Sequence, residues 1–336
     1  MRRRIFLAAL CLSAAIAQGQ QYPVKVVKLV APYSAGAGPA VFMRLMADWL
    51  AKTWGQQVIV DSRPGASGFI AIEAVKNAAP DGHELLIVSN AHVAINPALY
   101  KKLPYDPQAD FAPVGMIYHT PFFVAVKSDG PYATVAALIM AARANPGRIT
   151  YGAPYVGSPS HLGGADFAYR TGTTMLLVPF KDQSQMYVSI ANGELDWALS
   201  TLASALPLMK AGRIKLLAIA SGKRSQSAPE VPAMREAGGP AFEVDSWLAL
   251  LAPRGTPASV VRKINAGVNS GLAAPEVLER MKVLGFEASP GTPEQLAEAI
   301  RADTKTYAEL VRLTGATADR TCAVLTMGGA TCAFYS

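Results

Sequence analysis

Cysteine is nearly absent, with three in 336 residues. Cys11 falls in an N-terminal apolar run, and Cys322 and Cys332 fall near the C-terminus. The long stretch between holds none, so neither a disulfide framework nor a cysteine zinc site organises the fold. Histidine is as scarce, at four, and none has the spacing of a metal ligand set. Charged residues make up 16%, and pairs such as Lys101-Lys102 and Lys223-Arg224 stand apart. No basic stripe with interleaved aromatics is present, which argues against nucleic acid as a partner. Past the N-terminus no apolar run is long enough to span a bilayer. There is no P-loop, no paired general acid and base, and no solenoid-length repeat.

What is there is apolar material: 51% of the chain is hydrophobic, enough to bury the cores of two ordinary domains. The formal charge of +7 includes Arg2, Arg3 and Arg4. With the apolar run Ile5–Ile16 and the A-x-A pattern Ala15-Ile16-Ala17, they read as a signal peptide over residues 1–20, cut near Ala17. Leu10, bulky before Cys11, argues against a lipoprotein. The mature chain is expected to be exported. Residues 316–336 carry neither helical nor strand period and read as a disordered tail. Export permits, without requiring, a Cys322–Cys332 bridge.

The chain is organised around Lys28–Arg44. Val26–Ala31 is a short apolar run suited to a strand buried on both faces. Pro32 ends it, Gly36 and Gly38 allow a tight turn, and Pro39 suits the first turn of a helix. Such a turn aims free N–H groups and the positive end of a helix dipole at one point, which favours an anion. Strands and helices alternate from there. Gln57–Asp61 and Glu84–Val88 are strands, Arg63–Gly68 a loop, and Ser89–His92 follows the third strand. This is the start of a doubly wound α/β sheet, whose ligands lie outside the carboxyl ends of its strands. Phe111–Val126 reads as a strand pair or a crossing segment. A second series follows, with the strand Ile149–Ala153, the turn Gly157–His161, a helix over Leu162–Arg170, and strands over Leu195–Ser200 and Leu216–Ser221. Phe242–Pro253 returns as a strand, and Pro293–Leu313 is a last helix with Leu296, Ile300, Tyr307, Leu310 and Val311 on one face. The expected fold class is α/β, two lobes hinged by two chain crossings. The lobes are 21–124 plus 246–315 and 125–245.

The candidate chemistry leaves several readings open. Gly36-Ala37-Gly38 after a strand, with Asp61 ending the next, suggests a dinucleotide site, but Val41 stands where that fingerprint needs a small residue. Ser158, Ser160 and His161 suggest a hydrolase, but G-S-P-S-H is not a nucleophile elbow. A serine before a helix is first of all a cap. A second Gly/Ser turn entering a second helix suits a carboxylate, so one small anion could be held at both ends. Asp196 is either a ligand receptor or a strand-end cap. Tyr33 and Phe180 are either pocket walls or rim packing. His92 reads as a solvated loop residue and Trp247 as core or hinge.

At these residues the chain resembles the Bug-type solute-binding receptors of tripartite tricarboxylate transporters. The matching stretches run in order over nearly the whole mature chain: YPVKVVKLVAPYSAGAG, VIVDSRPGASG, AAPDGHELL, AINPALYKKLPYDPQADFAPV, ITYGAPYVGSPSHL, VPFKDQSQ, NGELDWAL, LMKAGRIKLLAI and SWLALLAPRGTP. The resemblance implies a two-lobed periplasmic-binding-protein (Venus-flytrap) fold and no enzymatic activity. It implies no cofactor, a small carboxylate ligand, and docking of a monomer to large and small membrane permease subunits. By position it implies a pocket of Tyr33, Ser34, Gly36, Ala37, Gly38 and Ser89 from one lobe. Ala153, Tyr155, Gly157, Ser158, Ser160, His161 and Asp196 would come from the other. Pro39 and Ala40 depart from the hydroxyl and Asp usual there, Tyr155 stands for a small residue, and Asp182 for a common Gly. A sensor acting on a signalling protein is the alternative role.

Overall fold

A computed structural model describes residues 22–180 and 183–317. The expected signal peptide, Lys181-Asp182, and Cys322 and Cys332 of the expected tail lie outside the described residues.

The first sheet begins with β1 (Val27–Ala31), β2 (Val58–Ser62) and β3 (Glu84–Ser89), which are parallel with β1 in the middle. Helices α1 (Gly38–Trp54) and α2 (Phe69–Lys76) join them, and a π turn with the short α3 (Asn96–Leu99) follows β3. β9 (Asp245–Pro253) pairs antiparallel with β3 and with the first part of β4 (Phe111–Lys127). Alternation in these strands decides what each side chain covers. Leu29 and Ala31, Leu85 and Ile87, and Leu248 and Leu250 enter one core. Val30, Leu86 and Val88, with Trp247 and Ala249, enter the core on the other face. The first core is closed by α1, α8 (Ala258–Leu272) and α9 (Pro275–Leu284), the second by α2 and α10 (Pro293–Thr314).

Phe111–Lys127 is one continuous strand rather than a pair. It pairs with β9 up to Pro121 opposite Asp245, and from Phe122 with β7 (Trp197–Thr201) and β8 (Ile214–Ile219). Pro121 has no N–H to donate, which suits the point where one ladder ends. The second sheet continues through β5 (Thr150–Ala153) to the edge strand β6 (Leu176–Pro179), with β5 parallel to both β6 and β7. Its helices are α4 (Val135–Ala144), α5 (Pro159–Thr171), α6 (Gln183–Asn192) and α7 (Leu202–Lys210), and β10 (Glu287–Ala288) pairs back onto β4. The result is the two-lobed α/β fold, with the lobes sharing β4.

The last helix links the two halves. Leu296 and Ile300 of α10 pack on the first sheet. Two to three turns on, Tyr307, Leu310 and Val311 meet Ile95 and Leu99 of lobe one and Leu162 of α5 in lobe two. Leu162 is fully buried. Truncating such a leucine to alanine costs about 2–5 kcal/mol, so this seam holds the lobes in register.

Candidate functional site

The carboxyl ends of β1, β2 and β3 lie on one rim because the strands are parallel. After β1, Ala37 N–H bonds to the Ser34 carbonyl and closes the turn. Ala37 is the N-cap of α1, with φ −67° and ψ 144°, and no side chain caps the helix. Pro39 has no N–H, which leaves the amides of Gly38 and Ala40 as the free donors of the first turn. A β-carbon on Gly36 would meet nothing within 4 Å, so the space before this turn is open.

Across the cleft, Ser158 caps α5: its Oγ accepts from His161 N–H at 3.1 Å. The helix therefore starts at Pro159, not at Leu162 as its apolar pattern suggests. Ser158 and Ser160 are buried with their hydroxyls 3.2 Å apart. The Nδ1 of His161 accepts from Gly157 N–H at 2.9 Å, and burial pushes this ring down to about 4. Neutral His161 is thus a brace for the turn, and its Nδ1 is occupied. Ala153 ends β5, and its carbonyl accepts from Phe180 N–H at 2.8 Å.

The second-lobe turn meets lobe one at the short helix α3. Gly157 has φ +86°, and a β-carbon there would lie 2.2 Å from a Leu99 methyl of lobe one. The lobes therefore meet at this glycine. Burial, together with the nearby Tyr155 hydroxyl of lobe two, raises the pKa of the Tyr33 phenol, while the Ser89 side chain opposes the shift as its hydrogen-bonding neighbour. Tyr33 thus lies near both Ser89 and Tyr155. Tyr155 remains 54% exposed, which places it on the mouth of the cleft.

Two expectations are corrected. Asp196 precedes β7, at the opposite end of the second sheet from Ala153. Its carboxylate accepts from Thr150 N–H and Oγ1 at 2.8 Å each and from the Tyr132 hydroxyl at 2.7 Å. It ties the starts of β5 and β7 together and does not join the cleft. His92 is buried rather than solvated, 8% exposed. Its ring fills the place of a β-carbon on Gly68, which would lie 2.6 Å from it. It also meets Tyr33 edge-on at 5.7 Å. Only glycine fits at position 68, because φ is +88° there and the ring leaves no room. Sequence reading also missed Tyr100, whose hydroxyl is 2.6 Å from Ser67 Oγ on the β2 rim. No spacing signal marked it.

Two other hollows lie elsewhere, one of about 460 Å³ beside Lys127 and Arg213, one of about 270 Å³ beside His119 and Thr292. Trp247 is core: it is buried, and its Nε1–H donates to Asp303 at 2.7 Å beside the strand crossing.

A family model described as "Tripartite tricarboxylate transporter family receptor" matches residues 42–315. The chain belongs to this family. The receptor is 30% identical over 313 residues to BugT of Bordetella pertussis, spanning 93% of this chain and 96% of BugT. Rpa4515 of R. palustris, solved with adipate, superposes with a TM-score of 0.78 at 31% identity, over 88% of this receptor and 99% of that chain. MatC from Rhodopseudomonas palustris, solved with bound malate, gives 0.72 at 28% identity, over 86% and 100%.

Proposed function

We propose that this receptor binds a small carboxylic acid between its lobes and hands it to a membrane permease of one large and one small subunit. It would act in the periplasm as a monomer, after loss of residues 1–20. The observation that carries the reading is the uncapped start of α1, which leaves the Gly38 and Ala40 amides free beside the open space at Gly36. A carboxylate there gains charge-assisted hydrogen bonds and the field of a 17-residue helix. The first-lobe contacts are Tyr33, Ser34, Gly36, Ala37, Gly38 and Ser89. The second lobe contributes Ala153, Tyr155, Gly157, Ser158 and Ser160, with His161 holding the turn. Adipate in Rpa4515 and malate in MatC support the same ligand class.

The Ser160/His161 pair lends no support to hydrolysis, because His161 Nδ1 takes the Gly157 amide and Ser160 bonds to Ser158. Any ester turnover should be unchanged in Ser160→Ala. The binding test is a thermal-shift panel of dicarboxylates, amino acids and aromatic acids, followed by calorimetry. Stabilisation by at least one carboxylate, with a micromolar or tighter Kd, is expected. A folded protein unmoved by all of them would end this reading.

A further inference from the structure

Ser89 and His92 carry a consequence for ligand class, resting on the receptor reading above. The Nδ1 of His92 accepts the backbone N–H of Ser89 at 3.1 Å. A proton on Nδ1 would point at that N–H, so the ring carries its hydrogen on Nε2 and offers only a lone pair at Nδ1. Burial holds the ring neutral, pushing it down to about 4. The Ser89 hydroxyl lies 3.0 Å from the same Nδ1. Between an acceptor-only nitrogen and a hydroxyl, the hydroxyl must donate. Ser89 therefore has its one hydrogen turned inward and only lone pairs left for the cleft.

The Tyr33 ring stands edge-on to His92 at 5.7 Å, beside Ser89. If the phenol donates to Ser89, the phenol oxygen is the acceptor left for the ligand. If the phenol donates to the ligand, Ser89 is. In both arrangements the pair offers the ligand an uncharged acceptor, and only in the second does it also offer a hydrogen. A bare carboxylate or methylene leaves that acceptor unpaired in a site that excludes water, which is costly. A ligand hydroxyl or amino group satisfies it.

We propose that Ser89, held with its hydrogen inward by His92, reads a hydrogen-bond donor on the ligand. The cleft then takes hydroxy- or amino-substituted carboxylic acids in preference to the unsubstituted acids of equal length. In this scheme Ser89 and Tyr33 touch the ligand, and His92 is a positioning residue.

The test is calorimetry on matched pairs: malate and aspartate against succinate, and 2-hydroxyadipate against adipate. The substituted member of the pair that binds should be tighter by about tenfold, the size of one well-made hydrogen bond. Ser89→Ala should bring the pair within about threefold, with the unsubstituted acid little changed. His92→Asn, whose amide oxygen replaces Nδ1, should keep the preference, and His92→Leu should lose it. A merely structural His92 would move both members of a pair together. Equal binding of both members by the unmodified protein, or a preference that survives Ser89→Ala, overturns the inference and leaves the receptor reading intact. Failure of every acid to bind the folded protein overturns both.

Discussion

Gly157 of the second lobe lies against Leu99 of the first so closely that a β-carbon would stand 2.2 Å from the leucine methyl. The contact is made by one loop residue and one helix residue from opposite sides of the cleft, so it forms only when the lobes approach. Gly157→Ala introduces both this clash and a strained φ of +86°, the latter costing about 1–3 kcal/mol. Ligand affinity should fall at least about tenfold, since closure is opposed. Adding Leu99→Ala should recover part of that affinity, read by calorimetry on both variants. An alanine at 157 that binds normally would show that the lobes need not meet there.

The N-terminus of α1 has the backbone of an N-cap at Ala37 but no capping side chain. Ala37→Asp should supply the cap, raising stability by about 0.5–2 kcal/mol. The same carboxylate would sit where the ligand's is proposed to bind. Thermal melts should rise while affinity for every carboxylate falls at least about tenfold.

Asp196 provides a contrast. Its three accepted hydrogen bonds knit the starts of β5 and β7. Asp196→Ala leaves the Thr150 amide and the Tyr132 hydroxyl without that partner, a loss of about 1–3 kcal/mol. Chemical denaturation should show this loss, and the ligand Kd should stay within about twofold.

Asp303 sits beside the strand crossing. Burial raises its carboxyl to about 6, the Asp245 carboxylate adds to the shift, and the Trp247 indole N–H opposes it. A carboxyl with a raised folded pKa binds its proton better in the folded protein than in the unfolded chain. Stability therefore rises as pH falls from about 6 toward the unfolded value near 3.9, and the charge is a burden above 6. Asp303→Asn keeps an acceptor for Trp247 without the charge. Its melting temperature should exceed that of the unmodified protein at pH 7.5, and the two should converge near pH 4.5. A variant less stable at pH 7.5 would contradict the sign.

Much of the fold was legible because both faces of the central strands are buried. Val26–Ala31 and Glu84–Val88 read as short apolar runs bounded by Pro32 and by Gly82, each within one residue of the observed strand, and α10 showed its stripe at Leu296, Ile300, Tyr307, Leu310 and Val311, all buried. The crossing strand was harder. Pro113 and Pro121 break the apolar pattern of β4, yet two different partners, β9 before and β7 with β8 after, make it one strand. At the site, the two Gly-containing turns could be read locally, since each turn's chemistry lies in adjacent residues. Asp196 and His92 could not. What decides them is the end of the sheet on which Asp196 falls and the gap that Gly68 leaves for a ring, and both are set by residues far away in sequence.

The most direct measurement is an amide NMR titration of the labelled receptor with whichever carboxylate stabilises it most. Charge-assisted hydrogen bonds should move the Gly36, Gly38 and Ala40 amides on one side and Ser160 on the other, saturating together with the binding isotherm. Saturable binding that leaves all four amides in place would mean that the anion is held elsewhere.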